Sequence, residues 1–124
     1  MSGRILLVDD EPEFRDIYSK VLKSNGFEVT NAENGIDCIN KLRRNDFDIV
    51  LIDLLMPLMS GMETIRSIKN DKTLKDTRIV VMSVLNMDER SNEHLKELGV
   101  ENILVKPIES WILLHVIKKI MEKQ

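Results

Sequence analysis

Residues 49–61 read IVLIDLLMPLMSG, a run in which Asp53 is the only charged side chain. A short apolar run that ends in turn residues predicts a strand covered on both faces, as the strands of parallel sheets are. Burying a lone ionised carboxylate costs several kcal/mol unless a cation or hydrogen bonds compensate. We therefore expect another residue of the chain to lie beside Asp53 and offset its charge.

The rest of the chain follows the same plan, with short apolar runs alternating with longer segments of helical period. The runs at 5–8 and 79–82 are continuously apolar, whereas FEVTNA at 27–32 alternates apolar and polar residues, which is typical of a half-exposed edge strand. Five rounds of strand then helix predict a parallel sheet with helices on both faces. The predicted strands lie at 4–10, 27–32, 48–55, 77–84 and 101–107, and the predicted helices at 12–25, 35–44, 61–70, 88–98 and 109–123.

Residues at the predicted helix ends agree with this assignment. Pro12 lies in a first turn, where its missing N–H costs nothing, and Asp88 is a typical N-cap residue. Gly26 and Gly99 lie just past helix ends, where glycine is favoured.

Length and composition limit the class of protein. A chain of 124 residues fits one domain, so we expect a single domain over residues 1–124 with no effector domain. The net charge is −3 and the basic residues are scattered, which predicts no direct nucleic-acid binding. No apolar run approaches the roughly 18 residues that a membrane span needs, and the run at 5–8 is too short for a signal peptide. With Cys38 as the single cysteine, no intrachain disulfide can form, and we expect a cytoplasmic protein.

Polar side chains follow the predicted strands at the points where the strands end. Asp9 and Asp10 follow the first strand, Asp53 ends the third, Ser83 the fourth and Lys106 the fifth. The carboxyl ends of parallel strands share one rim, so these side chains are expected to form a pocket. Clustered carboxylates recruit a hard cation such as Mg²⁺, and Lys106 adds a fixed positive charge.

Taken singly, each of these residues has an ordinary structural explanation as a helix cap, a turn residue or a solvated charge. Their joint placement at strand ends favours a functional pocket. Such a pocket would also explain why a charged residue is tolerated at position 53, because a metal ion and Lys106 would offset the charge of Asp53.

Four segments carry a resemblance to a known family: LLVDDEP at 6–12, LIDLLMPLMSGME at 51–63, Ser83 after an apolar strand, and LGVENILVKP at 98–107. Together they resemble the receiver domain of two-component response regulators, in particular chemotaxis-regulator-like ones, over essentially the whole chain. The resemblance implies a doubly wound, flavodoxin-like α/β fold with five parallel strands in the order 2-1-3-4-5 and five helices. It also implies a phosphorylation-activated signalling switch, not a conventional enzyme.

The resemblance further implies that Asp53 is the phosphoacceptor, which takes a phosphoryl group from a sensor histidine kinase or phosphotransfer protein. Asp10 and Asp53 would ligate Mg²⁺ directly with the backbone carbonyl of Leu55, and Asp9 would hold a metal-bound water. In this family the peptide bond between this lysine and the proline after it, here Lys106 and Pro107, is often cis.

Ser83 and Lys106 would each contact a phosphoryl oxygen, according to the same resemblance. Leu55 and Leu85 occupy positions at which family members often carry side chains that bind the water that attacks the aspartyl phosphate. Because leucine cannot form a hydrogen bond to this water, we expect slow autodephosphorylation. Many receivers carry an aromatic residue at the position of Ile103, and its absence leaves the route of the output signal open.

The last predicted helix carries more apolar residues than one buried face needs. Trp111 and Leu114 lie on a different flank from its core stripe, and Ile103 is on the neighbouring strand. We expect these three residues to form a docking surface for a downstream partner or a second copy. The alternative is that they belong to a broad core.

Other function classes fit the residues less well. A haloacid-dehalogenase-like hydrolase needs a second aspartate two residues after the nucleophile, where Leu55 stands. A nucleotide-binding domain needs a glycine-rich loop after the first strand, and VDDEPE at 8–13 contains no glycine. A docking domain that acts without phosphorylation remains open.

Overall fold

The strands of the protein are β1 (Arg4–Val8), β2 (Glu28–Ala32), β3 (Ile49–Asp53), β4 (Arg78–Ser83) and β5 (Asn102–Val105). They are seen in a computed structural model, which describes residues 3–84 and 88–123. All neighbouring strands pair in parallel in the order β2-β1-β3-β4-β5, which confirms the predicted doubly wound sheet. The half-exposed strand β2 lies at one edge, as its alternating sequence predicts.

Each strand is followed by a helix, and the predicted helices are confirmed to within one or two residues. The helices are α1 (Pro12–Ser24), α2 (Gly35–Arg44), α3 (Gly61–Asn70), α4 (Glu89–Glu97) and α5 (Ser110–Glu122). Asp88 is confirmed as the N-cap of α4, because its side chain accepts a hydrogen bond from Ser91 N at 2.8 Å. Gly26 and Gly99 have φ angles of 91° and 87°, a left-handed conformation that favours glycine after a helix.

The core has two layers, one on each face of the sheet. Helices α1 and α5 pack against one face through residues such as Tyr18 and Ile117. Helices α2, α3 and α4 cover the other face through residues such as Cys38, Ile65 and Leu95. Successive strand residues point to opposite faces, so a strand covered on both sides must be apolar at every position. This explains the continuous apolar runs of β1, β3 and β4.

The start of α3 lies directly against the end of β3. A Cβ atom at Gly61 would come within 2.4 Å of the Asp53 carbonyl oxygen and 2.5 Å of Leu54 Cα. Gly61 N also donates a hydrogen bond to Leu54 O at 2.9 Å. Glycine at this position therefore lets the helix approach the strand end that carries Asp53.

Among the described residues, no helix has the length and apolar character that a membrane span requires.

Candidate functional site

The Lys106 ammonium group lies between two carboxylates at the carboxyl end of the sheet. Its Nζ atom donates hydrogen bonds to Asp9 Oδ2 at 2.8 Å and to Asp53 Oδ2 at 3.1 Å. The side chains of Lys106 and Asp9 are completely buried, and that of Asp53 is 4% exposed. Lys106 is thus the residue that offsets the charge of Asp53, as the sequence predicts.

Burial and the hydrogen bonds act in opposite directions on Asp53. Burial raises the pKa of Asp53, and the hydrogen bond from Leu55 N, at 3.1 Å from Oδ1, and the charge of Lys106 only partly counteract it. Burial also acts to lower the pKa of Lys106, but the hydrogen bonds and charges of Asp9 and Asp53 outweigh burial and raise that pKa. Lys106 is therefore a cation at neutral pH.

Four acidic residues form a cluster at this rim. Asp9, Asp10, Glu11 and Asp53 each offer an oxygen atom, and these atoms lie within 4.8 Å of one another. Both Asp9 oxygens accept hydrogen bonds, from Glu11 N and Lys106 Nζ, whereas Asp10 Oδ1 is buried and has no hydrogen-bond partner. A buried carboxylate oxygen without a partner is costly, and a cation would satisfy it. The all-oxygen set suits a hard cation such as Mg²⁺.

Ser83 and the segment after β5 complete the rim. Ser83 is buried at the end of β4, and its carbonyl accepts a hydrogen bond from Lys106 N at 2.8 Å. The peptide bond between Lys106 and Pro107 is cis, as the resemblance implies. The strand pairing thus brings together all the strand-end residues that the sequence singled out.

Several apolar residues close in sequence to the site residues have exposed side chains. Leu55, Leu58, Val84 and Val105 are each about half exposed or more. Leu55 lies in the loop after Asp53 and uses its backbone N–H to hold the carboxylate. Leu85, which the sequence places with Leu55 in water handling, lies outside the described residues.

The predicted docking surface is only partly exposed. Trp111 is 67% exposed, and its Nε1 donates a hydrogen bond to Glu109 Oε2 at 2.7 Å. Leu114 packs against the core layer of α1 and α5, and Ile103 against the opposite layer. Of the three residues, Trp111 is therefore the exposed one, and Ile103 and Leu114 are partly buried residues of the two core layers.

Sequence reasoning did not single out two aromatic residues on α1, Phe14 and Tyr18. The neighbouring Glu11 side chain is 53% exposed, with its Oε1 at 3.6 Å from Lys106 Nζ. The ring centroid of Phe14 lies 4.0 Å from the same Nζ atom, and Phe14 stacks on Tyr18. The available signal was the spacing, because two aromatic residues four positions apart share one helix face.

Comparison with known proteins gives one family over most of the chain. The family model of the response regulator receiver domain matches residues 5–118. The transcriptional regulatory protein CpxR homolog of Haemophilus influenzae is 33% identical over 98% of this chain and 51% of its own length. The chemotaxis protein CheY of Bacillus subtilis is 32% identical over 96% of this chain and 98% of its own length. The chain therefore spans about half of the first relative and nearly all of the second.

A solved structure shares the fold as well as the sequence pattern. Response regulator protein TrrA of Thermotoga maritima, in complex with Mg²⁺ and BeF, has a TM-score of 0.82 and is 30% identical to this chain. The match covers 95% of this chain and 98% of that one.

Proposed function

This chain belongs to the response regulator receiver domain family, and from that premise we propose that it is a switch phosphorylated on Asp53. The donor is the phosphohistidine of a sensor histidine kinase or of a phosphotransfer protein, and the reaction depends on Mg²⁺. Family membership makes the chain a signalling domain of a two-component system, not a conventional enzyme.

The observation that carries the proposal is the pairing of buried Asp53 with buried Lys106, at 3.1 Å. A nucleophilic carboxylate must be ionised. The Lys106 ammonium group stabilises the negative charge of Asp53 in a site from which most water is excluded. The second carboxylate on Lys106, Asp9, fixes the ammonium group from the other side. This supports the proposal that Lys106 would neutralise charge on a phosphoryl group that is transferred to Asp53.

The transfer can be written with this chain's own groups. A carboxylate oxygen of Asp53 forms a bond to phosphorus while the phosphorus–nitrogen bond of the donor breaks, and the donor nitrogen keeps the bonding electron pair. Lys106 pairs with one phosphoryl oxygen, and the Ser83 hydroxyl donates to another. The product is an aspartyl phosphate and a histidine on the donor.

The acidic cluster fits the proposed metal ion. Asp10 and Asp53 would ligate Mg²⁺ with the carbonyl of Leu55, and Asp9 would hold a metal-bound water. The buried, unpartnered Asp10 Oδ1 supports this assignment, since such an atom needs a cation or a donor. When bound, Mg²⁺ supplies charge neutralisation and orientation for the phosphoryl group. The TrrA complex with Mg²⁺ and BeF is further support.

The output surface is proposed around Trp111, with Ile103 and Leu114 at its margins. A large aromatic side chain that is 67% exposed is a typical anchor at protein interfaces. The occupant is a downstream protein or a second copy of this chain.

The test is incubation with acetyl phosphate and Mg²⁺, followed by intact mass measurement and mapping of the labelled peptide. We expect one phosphoryl group on Asp53, and no label when Mg²⁺ is chelated. Asp53→Asn should take up none, and Asp48→Asn, a matched change at the opposite end of β3, should label as the wild type does. Label on another residue would refute the assignment. A wild-type chain that takes up nothing would favour the docking domain that acts without phosphorylation.

A further inference from the structure

The Lys106 ammonium group has an aromatic neighbour in addition to its carboxylate partners. The centroid of the Phe14 ring lies 4.0 Å from Lys106 Nζ, so the cation lies against the ring. An aromatic face attracts a cation, and the attraction is strongest where water is excluded, as it is around this buried group. The ring also limits the space in which the long lysine side chain can move.

Phe14 is itself held by a second aromatic residue on the same helix. The rings of Phe14 and Tyr18 are 5.7 Å apart at an angle of 18°, which is a stacked arrangement. Tyr18 is 2% exposed, and its hydroxyl oxygen accepts a hydrogen bond from Ile108 N at 3.0 Å. The pair on α1 therefore contacts the segment 106–108 at both of its ends.

We propose that Phe14 and Tyr18 are positioning residues for phosphoryl transfer, which hold Lys106 toward Asp53 from helix α1. The inference rests on the proposed phosphorylation of Asp53. Phe14 acts on the cation directly, and Tyr18 acts on Phe14 by stacking and on the loop through Ile108 N. Both residues act through others, since Phe14 contacts Lys106 Nζ and Tyr18 contacts Ile108 N.

The contacts give different expectations for two kinds of substitution at position 14. Phe14→Leu keeps an apolar side chain but removes the aromatic face, so Lys106 loses one of its contacts. Phe14→Tyr keeps the face and should behave as the wild type does. Tyr18→Phe keeps the stack but leaves the buried Ile108 N–H without its acceptor.

The chain offers a matched control for Phe14→Leu. Phe47 also has a cation over its ring, with Arg4 Cζ at 5.1 Å from the centroid. It lies next to the start of β3, at the end of the sheet opposite to Asp53. Phe47→Leu therefore removes the same kind of contact at a distance from the acceptor site.

The experiment measures the rate of labelling by acetyl phosphate with Mg²⁺ for these variants, each also made in a Lys106→Met background, which removes the cation from the Phe14 ring. We expect Phe14→Leu to slow labelling about tenfold, Tyr18→Phe to slow it less, and Phe14→Tyr and Phe47→Leu to leave it unchanged. Labelling is slower overall in the Lys106→Met background, and there the effect of Phe14→Leu should shrink, because it acts through the Lys106 cation. A merely structural role would slow labelling equally in both backgrounds and would overturn the proposal.

A spectroscopic measurement keeps the test valid if a variant folds poorly. The Lys106 side-chain protons of the wild type should show the upfield NMR shift of nuclei above a ring, and Phe14→Tyr should keep that shift. Ordinary lysine chemical shifts in the wild type would overturn the proposal.

The labelling rates give a second set of outcomes. Equal labelling rates for the wild type and a folded Phe14→Leu variant would also overturn the proposal. A wild-type chain that takes up no phosphoryl group would overturn this inference together with the proposed function, whereas normal wild-type labelling with an unaffected Phe14→Leu variant would overturn this inference alone.

Discussion

At the scale of single residues, Asp53 combines two opposed requirements. Its carboxylate is buried at the carboxyl end of the central strand β3, yet the proposed chemistry needs this carboxylate to be ionised. Lys106 at 3.1 Å and the Leu55 N–H at 3.1 Å supply compensation from within the chain. Because the pKa of Asp53 is nevertheless raised, the ionised form is less favourable in the native state than in the unfolded chain.

The raised pKa of Asp53 predicts how Asp53→Asn changes stability with pH. The native state binds the Asp53 proton more tightly than the unfolded state, so ionised Asp53 lowers the free energy of unfolding at neutral pH. This cost falls away as the pH drops through the raised pKa and is gone below the ordinary value of 3.8. We expect Asp53→Asn to be as stable as the wild type or more stable at pH 7, with an advantage that disappears at low pH.

Urea unfolding of both proteins across this pH range, in a chelating buffer, measures that difference. The prediction would be contradicted if the free energy of unfolding of Asp53→Asn, relative to that of the wild type, were lower at pH 7 than at low pH.

We expect Leu55 to influence a second property of the site, the lifetime of the phosphorylated form. Its side chain is 52% exposed beside Asp53 and cannot hydrogen-bond an attacking water. We expect autodephosphorylation to take minutes or longer, and Leu55→Asn to accelerate it, alone or together with Leu85→Glu. Decay of the labelled mass after removal of the donor measures this lifetime, and Leu58→Asn, an equally polar change in the same loop, is the control. Loss of the wild-type label within a few seconds would refute the expectation.

At the scale of the elements, the site depends on how closely α3 follows β3. The helix begins with a capping box, in which Ser60 and Glu63 satisfy each other's backbone N–H groups. Gly61 then allows the first turn to contact the backbone of Asp53 and Leu54. The loop between β3 and α3 is thereby fixed at both ends, which fixes the Leu55 N–H against Asp53.

Gly61→Ala should damage both the fold and the acceptor site. Its new Cβ would meet backbone atoms at 2.4 Å and 2.5 Å, and backbone cannot move aside as a flexible side chain can. We expect a loss of more than about 2 kcal/mol in the free energy of unfolding, with slower labelling of Asp53.

Gly26→Ala is the control for this substitution. No atom lies within 4 Å of its added Cβ, so it costs only the backbone strain of φ 91°, about 1 kcal/mol, and labelling should not change. Denaturant unfolding and labelling rates for the two variants distinguish these effects. Equal losses in both variants would show that the close approach at Gly61 is unimportant.

At the scale of the whole molecule, the acceptor site and the proposed output surface are joined by one short segment. Lys106 belongs to the site, Ile108 is buried in the core under α5, and Trp111 is exposed in the first turn of that helix. A change in the position of Lys106 on phosphorylation can therefore reach the surface through few intervening contacts. We propose that phosphorylation would act here as a population shift between two arrangements of this segment.

Trp111→Ala should weaken association without harming the fold. Its side chain is 67% exposed, so its removal opens no cavity in the core. We expect urea unfolding to be nearly unchanged, and the phosphorylation-dependent gain in partner binding or in solution mass to be lost. Leu114→Ala, which removes a residue packed against the core, should instead cost about 1 to 2 kcal/mol of stability. A Trp111→Ala variant that unfolds easily would identify Trp111 as a core residue.

The layered α/β fold and most of the rim follow from patterns in the amino-acid sequence. Continuous apolar runs indicated strands buried on two faces, and glycine, proline and aspartate marked the helix ends, because these signals depend on local backbone and burial preferences. The polar residues that end the strands could be placed together, since parallel strands share one carboxyl edge. Asp53 and its partner Lys106 were therefore predictable although 53 positions separate them.

Which side chains contact one another depends on how the helices and strands pack. The contact of Phe14 with Lys106 and the hydrogen bond from Ile108 to Tyr18 depend on how α1 packs against the sheet, which no local pattern specifies. The burial of Asp10 Oδ1 without a partner likewise depends on the depth of the cluster. For the same reason, only Trp111 of the predicted docking surface is largely exposed, whereas Ile103 and Leu114 are partly buried. Helical and strand periodicity gives the side of an element on which a residue lies, but the neighbouring elements decide how much of that side is covered.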